Sequence, residues 1–431
     1  MRLTTMKLLF FAVGVVVAGA LAQKAPSPAE REAHWLQDLQ VLSNGLKAPG
    51  IRVAAGLATR GQKDFAEVYP NFDAEMASIR EAIPNLSDAE LYLRLSRLIA
   101  SAHIAHNTVD IPMGMGFLDR LPVEFHWFSD GLAVSITTTE NSALLGARVR
   151  TIGGTTPEQF LADLKPYVSY ENETWLRVKS EDLMPARGVL QHFGMIGKDG
   201  NVPLELEKTD GEVVSVSLPL APGDVKKIAI AEGLRIPPVL YRSHPNIWYW
   251  TEYLADSQTI FIQYNQCAND STHHFGEVVR QAMADADSHS VKRVVIDLRW
   301  NGGGDSSVIN PLMSGLNARR KSLGKIYVLI GPYTFSSAVN NVISLKEDLG
   351  ATVVGEASGG MPDGYGEVKS ITLPNSKLVV GFSTKHWGAK GDTGPKTVTP
   401  DLPAPGTLAE FLAGHDPALD AAIHDAPTRA N

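Results

Sequence analysis

Two short stretches of the chain contain residue types that can do chemistry. At residues 294–304 the apolar run VVIDL leads into RWN and three glycines, and at residues 326–338 the apolar run IYVLI leads into GPYTFSSA. Consecutive glycines let backbone N–H groups approach a ligand closely, which favours a cradle for an anion. The hydroxyl residues place Ser336 at a turn between a strand and a helix, beside the positive end of the helix dipole. Acyl transfer needs both parts, a hydroxyl nucleophile and donors for the oxyanion.

The hydrophobic pattern indicates the elements that must position these residues. Short β-branched runs predict buried strands, and apolar residues at helical spacing predict helices between them. The strands are expected at residues 259–264, 291–298 and 326–330, and the helices at residues 275–284 and after Ser336. Strands that alternate with helices predict an α/β layered core with parallel pairing.

Composition restricts the class of protein. The chain has 431 residues, of which 44% are hydrophobic and 20% charged, so it can form two or three globular domains. Its net charge of -8 argues against nucleic acid as a partner, which would favour a basic face. The one cysteine, Cys267, excludes an intramolecular disulfide, so stability must come from core packing.

The first residues have the pattern of a secretory signal peptide. Arg2 and Lys7 precede an apolar run over residues 8–21, and Ala20-Leu21-Ala22 provides a cleavage site before Gln23. The run is too short to span a membrane comfortably. We therefore expect a signal peptide over residues 1–22, a periplasmic or secreted protein, and no integral membrane segment after signal removal.

Two regions precede the expected catalytic core. Residues 23–118 have helical patterning, and Ser87 and Glu90 have the spacing of a capping box. Residues 119–235 are predicted to be β-rich, with a hairpin around Asp130-Gly131 and a helix over residues 157–164.

Four segments resemble the tail-specific, or C-terminal-processing, serine peptidase family. DLRWNGGG at residues 297–304 resembles the family's DLRxNxGG signature, and TFSSA at residues 334–338 resembles its TASA nucleophile turn. VVGEASGG at residues 353–360 and VTPD at residues 398–401 are similar to its strand-and-glycine segment and its closing VxPD. The resemblance implies a ClpP/crotonase-like catalytic α/β domain over residues 236–431. Residues 147–157 resemble part of a PDZ-like module, and a plain β-rich insertion is the alternative.

The resemblance also bears on the base that activates the serine. The Ser-Lys branch of the family has its lysine about two dozen residues after the serine, where this chain has Met361. The histidine-base, tricorn-like branch has a DGHT-like motif on an earlier segment. LIASAHIAHNT at residues 98–108 is similar to it, with His106 at the matching position and with departures at Ile104 and Asn107. An imidazole with a pKa near 6.5 suits a general base at neutral pH.

A histidine base is usually oriented by a carboxylate. In the histidine branch a glutamate precedes the VxPD segment, and the nearest carboxylate here is Asp392. Glu356, Asp363 and Glu367 are competitors for this role.

Other roles are open for three residues near these motifs. His103 and His106 have the i, i+3 spacing of a metal pair, but no HExxH motif or cysteine cluster completes a site, so no metal or other cofactor is expected. Lys385 is an alternative base.

These observations predict an exported serine-type peptidase that acts on a peptide or unfolded protein. Ser336 attacks the peptide carbonyl, His106 moves the proton, and Asp392 orients the imidazole. The oxyanion is expected to accept from backbone N–H groups of Gly303 or Gly304 and of Ser337. Asp297 and Arg299 are expected to set the glycine turn. The alternatives are a catalytically inactive peptide-binding module of the same fold and an esterase-type serine hydrolase.

N-terminal sequencing of exported protein is expected to begin at Gln23 or within a few residues of it, because signal peptidase cleaves after small residues in an A-x-A pattern. An intact Met1 on the active form would contradict the predicted localisation.

Overall fold

A computed structural model describes residues 26–47, 65–110, 119–222, 225–270, 272–387 and 394–425. The expected signal peptide and Asp392 lie outside these residues. Among the helices of the described ranges, none combines the length and the apolar character needed to cross a membrane.

Helices and strands follow one another along the whole described chain. The helices are α1 Pro28–Leu46, α2 Phe65–Val68, α3 Phe72–Ala82, α4 Asp88–Ala100, α5 Pro157–Leu164, α6 Glu173–Leu183, α7 Arg187–His192, α8 Ile230–Gly233, α9 Phe275–Ser288, α10 Asn310–Ala318, α11 Ser337–Leu349, α12 Leu408–Ala413 and α13 Pro417–His424. The strands are β1 Thr108–Asp110, β2 Val123–Phe128, β3 Gly131–Thr137, β4 Arg148–Ile152, β5 Asn201–Glu207, β6 Val213–Pro219, β7 Ile228–Ala229, β8 Tyr249–Leu254, β9 Thr259–Tyr264, β10 Arg293–Asp297, β11 Lys325–Ile330, β12 Thr352–Gly355, β13 Gly364–Thr372, β14 Val379–Trp387 and β15 Leu402–Pro403.

The central sheet has the strand order β15-β12-β11-β10-β9-β8, and all pairs except β8 with β9 are parallel. This confirms the α/β core and the parallel pairing predicted from the sequence. In register, Asp297 at the end of β10 lies opposite Leu329 of β11. The carboxyl ends of parallel strands meet at one edge of a sheet, so the segments that follow β10, β11 and β12 emerge side by side.

Both faces of the central sheet are buried. Side chains that alternate along the strands pack on one face against α9, α10 and α11 and on the other against α13. Burial on both faces explains why β9, β10 and β11 are continuous apolar runs instead of alternating patterns.

Residues 119–222 contain an antiparallel sheet of order β2-β3-β4-β5-β6, with helices α5, α6 and α7 packed over one face. The hairpin predicted around Asp130-Gly131 is confirmed, because β2 and β3 pair antiparallel with Phe128 opposite Gly131. The helix predicted over residues 157–164 is α5.

The N-terminal helices share a core with the antiparallel sheet β1-β14-β13. Helix α4 begins with the predicted capping box, in which Ser87 and Glu90 bond each other's backbone amides. Strand β1 follows α4 and pairs with β14, with Thr108 opposite Gly381. This pairing brings the segment around His106 to the C-terminal half of the chain. The domain boundaries after residues 118 and 235 stay predictions.

Asp297 and Arg299 form a buried ion network with a third residue. The Arg299 guanidinium donates to Asp297 and, through both terminal nitrogens, to Asp416 at 2.7 and 2.8 Å. The Asp297 side chain is fully buried, and those of Arg299 and Asp416 are 14% and 6% exposed. Asp416 precedes α13, so the network fastens that helix to the segment after β10.

We expect Asp416→Asn to lower the free energy of unfolding by about 3 kcal/mol, because it leaves part of the Arg299 charge buried without its partner. Urea unfolding measures the loss. Lys346→Ala is the control, since Lys346 and Asp401 form a pair that is 45% and 41% exposed, and its removal should cost less than about 1 kcal/mol. Equal losses in the two variants would show that the buried network contributes no more than a surface pair.

Candidate active site

The turns that follow β10 and β11 are bonded to each other. The Asn301 carbonyl accepts from the Phe335 amide at 3.0 Å, and the Thr334 hydroxyl donates to the Leu298 carbonyl at 2.9 Å. The segment after β12 joins them, because the Gly360 amide donates to the Thr334 carbonyl at 3.0 Å. Three of the four segments that carry the family resemblance therefore meet at the carboxyl edge of the central sheet.

Ser336 has a strained backbone at the start of a helix. Its φ and ψ are 53° and -127°, a conformation that residues with a side chain rarely adopt, and α11 begins at the next residue. Such strain costs on the order of 1–3 kcal/mol and persists where the surroundings enforce it, typically at functional sites. The neighbouring Ser337 hydroxyl is engaged, since it donates to the Gly304 carbonyl at 2.6 Å. Ser336 is therefore the better nucleophile candidate.

Two glycines allow the chain to approach Ser336 closely. A Cβ added to Gly303 would lie 2.7 Å from the Ser336 Cβ and 2.9 Å from the Ser337 nitrogen, and Gly303 has a φ of +101°. A Cβ on Gly360 would lie 2.9 Å from the Ser336 nitrogen. Larger residues at either position would displace the serine.

The expected oxyanion donors differ in their availability. The Gly303 amide donates to the Asn301 side-chain oxygen at 2.9 Å, so the structure assigns Gly303 to close packing and not to anion binding. Ser337 is the first residue of α11, so its amide has no helical carbonyl to bond. Gly304 follows with a φ of +130° and lies against the Cys267 backbone.

Asn301 holds the glycine turn, a role that the sequence analysis did not assign. Its fully buried side chain donates to the Tyr264 carbonyl at 2.8 Å and accepts from the Gly303 amide and from the Cys267 thiol, the latter at 3.3 Å. Burial raises the pKa of Cys267 to about 12, so this thiol stays protonated and is no rival nucleophile. The asparagine within the DLRWN motif was the available sequence clue.

His106 packs beside residues 334–338, the nucleophile turn. Its ring lies 4.6 Å from that of Phe335, centroid to centroid. Trp175 also contacts Phe335, and these two rings are stacked at 3.9 Å with an interplanar angle of 9°. Both ring nitrogens of His106 are inaccessible to solvent and have no hydrogen-bond partner among the described residues. Burial lowers the pKa of His106 to about 4, below the value near 6.5 expected from the sequence.

Asn107 anchors the segment that carries His106. Its buried amide donates to the Tyr69 hydroxyl at 3.1 Å and accepts from the Ser383 amide of β14 at 2.8 Å. The departure from the family motif at this position is therefore a structural anchor. The aromatic stack and this anchor were both missed at the sequence level because each joins residues distant in the chain.

The carboxylate that would orient His106 is not among the described partners of the ring. Asp392 lies outside the described residues, so its role stays a prediction. Of its competitors, Glu356 is close enough to His126 for its charge to raise the pKa of that residue, and Glu367 is exposed. Asp363 is buried, and among the described residues it makes no hydrogen bond to His106.

The alternative sites receive little support from the geometry. The Lys385 ammonium lies over the Trp387 ring at 3.4 Å, and Met361 is buried. His103 is exposed with a φ of 52°. Within the described ranges, no group of three His, Cys, Asp or Glu side chains is placed to hold a metal ion.

The fold is similar to that of several solved structures. Mature CPAF matches with a TM-score of 0.60 and 14% identity, covering 92% of this chain and 99% of that chain. Mature CPAF complexed with lactacystin matches with a TM-score of 0.59 and 14% identity, covering 91% and 98%. The photosystem II D1 C-terminal processing protease matches with a TM-score of 0.41 and 13% identity, covering 93% and 100%.

The similarity to CPAF extends over nearly the full length of both chains, so this chain has the CPAF fold. No family model and no curated protein matches the sequence.

We expect Gly303→Ala to lower the rate of labelling by a fluorophosphonate by about a hundredfold, because its Cβ would displace Ser336 from the oxyanion donors. Gly211→Ala is the control. Gly211 has a φ of +87° with open space around its Cβ position, so the variant carries backbone strain without the clash. Equal labelling rates in the two variants would show that the oxyanion-binding amides lie elsewhere.

Proposed function

We propose that this chain is an exported serine peptidase of the tail-specific family, with Ser336 as nucleophile and His106 as general base. One observation carries the proposal. The strained Ser336 stands at the start of α11, in contact distance of the glycine turn, and the His106 ring packs on the adjacent Phe335. The fold similarity to mature CPAF supports it, as do the four resembling segments.

The reaction begins with proton transfer from the Ser336 hydroxyl to a ring nitrogen of His106. The serine oxygen attacks the peptide carbonyl, and the amide hydrogens of Gly304 and Ser337 bind the oxyanion. His106 then gives its proton to the leaving amine, and water hydrolyses the acyl-enzyme on Ser336 by the same route in reverse. Because burial holds His106 neutral, the base is ready to accept a proton at neutral pH.

The remaining parts of the proposal concern the regions around this site. The catalytic domain over residues 236–431 is of the ClpP/crotonase type, and residues 119–235 form a PDZ-like region. Asp392 orients His106, and the substrate is a peptide or an unfolded protein that the enzyme meets in the periplasm or outside the cell.

A second candidate is a peptide-binding module of the same fold without catalysis. It is favoured by one observation, that neither nitrogen of His106 bonds Ser336 in this structure. Hydrogen bonds of catalytic groups are often long in the absence of substrate, which is why we prefer the enzyme.

Reaction with a fluorophosphonate probe distinguishes the peptidase from the binding module, because the probe labels only an activated serine. The experiment does not require that a substrate be known. Ser336→Ala should abolish labelling and leave the thermal midpoint nearly unchanged, because the side chain is small and partly exposed. Ser337→Ala is the matched control and should keep most of the labelling. Labelling lost only in Ser337→Ala would move the nucleophile by one residue, and an unlabelled wild-type protein would favour the binding module.

The labelling rate should be constant near neutral pH and fall on the acid side with an apparent pKa of about 4. Burial disfavours the imidazolium, so His106 stays neutral until the pH falls to this value, and only the neutral ring accepts the serine proton. Short pulses of probe between about pH 3.5 and 8, which extend from just below that pKa to well above it, measure the profile.

His106→Ala should abolish labelling, and Lys385→Met should leave the rate unchanged within about twofold. Labelling that survives in His106→Ala and disappears in Lys385→Met would assign the base to Lys385.

A further inference from the structure

Helix α6 reaches the nucleophile turn from outside the central sheet. Its Trp175 stacks on Phe335, the residue before Ser336. Its Glu181 accepts a hydrogen bond from the hydroxyl of Tyr333, three residues before Ser336. Both side chains that flank Thr334 in the turn are therefore held by one helix of another region of the protein.

The Glu181 carboxylate is fixed by several neighbours. One oxygen accepts from the Trp127 amide at 2.9 Å and lies 3.1 Å from Nδ1 of His126, and the other accepts from Tyr333. The Glu181 and His126 side chains are 12% and 25% exposed, so water competes weakly for these bonds. Bonds to a charged acceptor that is itself held in place restrict the Tyr333 hydroxyl to one position.

Tyr333 is rigid at its ring as well as at its hydroxyl. The ring stacks on Trp300 at 4.7 Å between centroids and lies nearly parallel to the His126 ring at 6.2 Å. Trp300 directly precedes Asn301, whose carbonyl accepts from the Phe335 amide. Tyr333 thus contacts both Trp300, next to the glycine turn, and Glu181 of α6. Tyr333 itself lies directly before Thr334 in the nucleophile turn.

The pKa shifts of Tyr333 and His126 are consistent with a hydrogen bond from Tyr333 to Glu181. Burial and the Glu181 charge raise the pKa of Tyr333 well above its usual value, so the phenol keeps the proton that it donates. Burial alone would lower the pKa of His126, but the Glu181 and Glu356 carboxylates raise it above its usual value.

We propose that Glu181 is a positioning residue for the nucleophile, which acts through Tyr333 to hold the turn that carries Ser336 in its reactive place. The proposal rests on the serine peptidase function proposed above. Helix α6 lies outside the central sheet, and through Glu181 it would contribute to the rate of the reaction.

Glu181→Gln and Tyr333→Phe each weaken or remove this hydrogen bond with little change of shape. Fluorophosphonate labelling at several probe concentrations gives the rate of the covalent step and the apparent affinity for the probe. We expect each variant to slow the covalent step by roughly 10- to 100-fold, because small displacements of a reacting atom cost this much, and to leave the affinity unchanged within about twofold. A role in stability alone would lower the thermal midpoint and leave the covalent step of the folded enzyme unchanged.

The double variant tests whether the two residues act as a unit. If Glu181 acts through Tyr333, Glu181→Gln combined with Tyr333→Phe is no slower than the worse single variant. Losses that multiply would overturn the proposal, as would a wild-type covalent step in either folded single variant. Should Glu181→Gln fail to fold, the Tyr333→Phe rate decides alone, since that change removes only a hydroxyl.

Ser180→Ala is the matched control on the same helix. Ser180 is fully buried, accepts from the Trp127 indole at 3.0 Å and donates to the Arg177 carbonyl at 2.7 Å, and neither bond reaches the nucleophile turn. Its loss should lower the thermal midpoint and leave the covalent step unchanged, and a slowing equal to that of Glu181→Gln would reject the specific role. Failure of the wild-type protein to label would instead refute the proposed function.

Discussion

One buried asparagine, Asn301, joins the two turns on which this site is built. The side chain of Asn301 satisfies the Gly303 amide and the Tyr264 carbonyl, and its backbone carbonyl satisfies the amide of Phe335. An irregular turn buried at the edge of a sheet must find partners for its polar groups, each of which would otherwise cost about 1–3 kcal/mol. The Asn301 side chain meets that demand for the glycine turn, and its backbone carbonyl fixes the distance between that turn and the segment of the strained Ser336.

The local parts of this arrangement were accessible from the sequence. Apolar runs of strand length located β9, β10 and β11, because strands buried on both faces of a parallel sheet are apolar throughout. The capping box and the hairpin were also located, since each depends on residues close together in the chain. The four resembling segments indicated the place of Ser336.

The parts that depend on distant contacts were not accessible. The stack of Trp175, Phe335 and His106 unites three regions of the chain, and no single segment contains a sign of it. The same holds for Glu181 and Tyr333. The pKa of His106 was misjudged for a related reason, because burial is a property of the assembled fold and the ordinary value of an imidazole says nothing about it.

The route by which His106 reaches the site has a consequence for the newly made chain. His106 belongs to a segment held by β14, and it lies about 230 residues before Ser336 in the sequence. A chain made only as far as Ser336 lacks the strand that fastens the segment of His106, since β14 extends from Val379 to Trp387. The packing of His106 against Phe335 can therefore form only after most of the chain has been made.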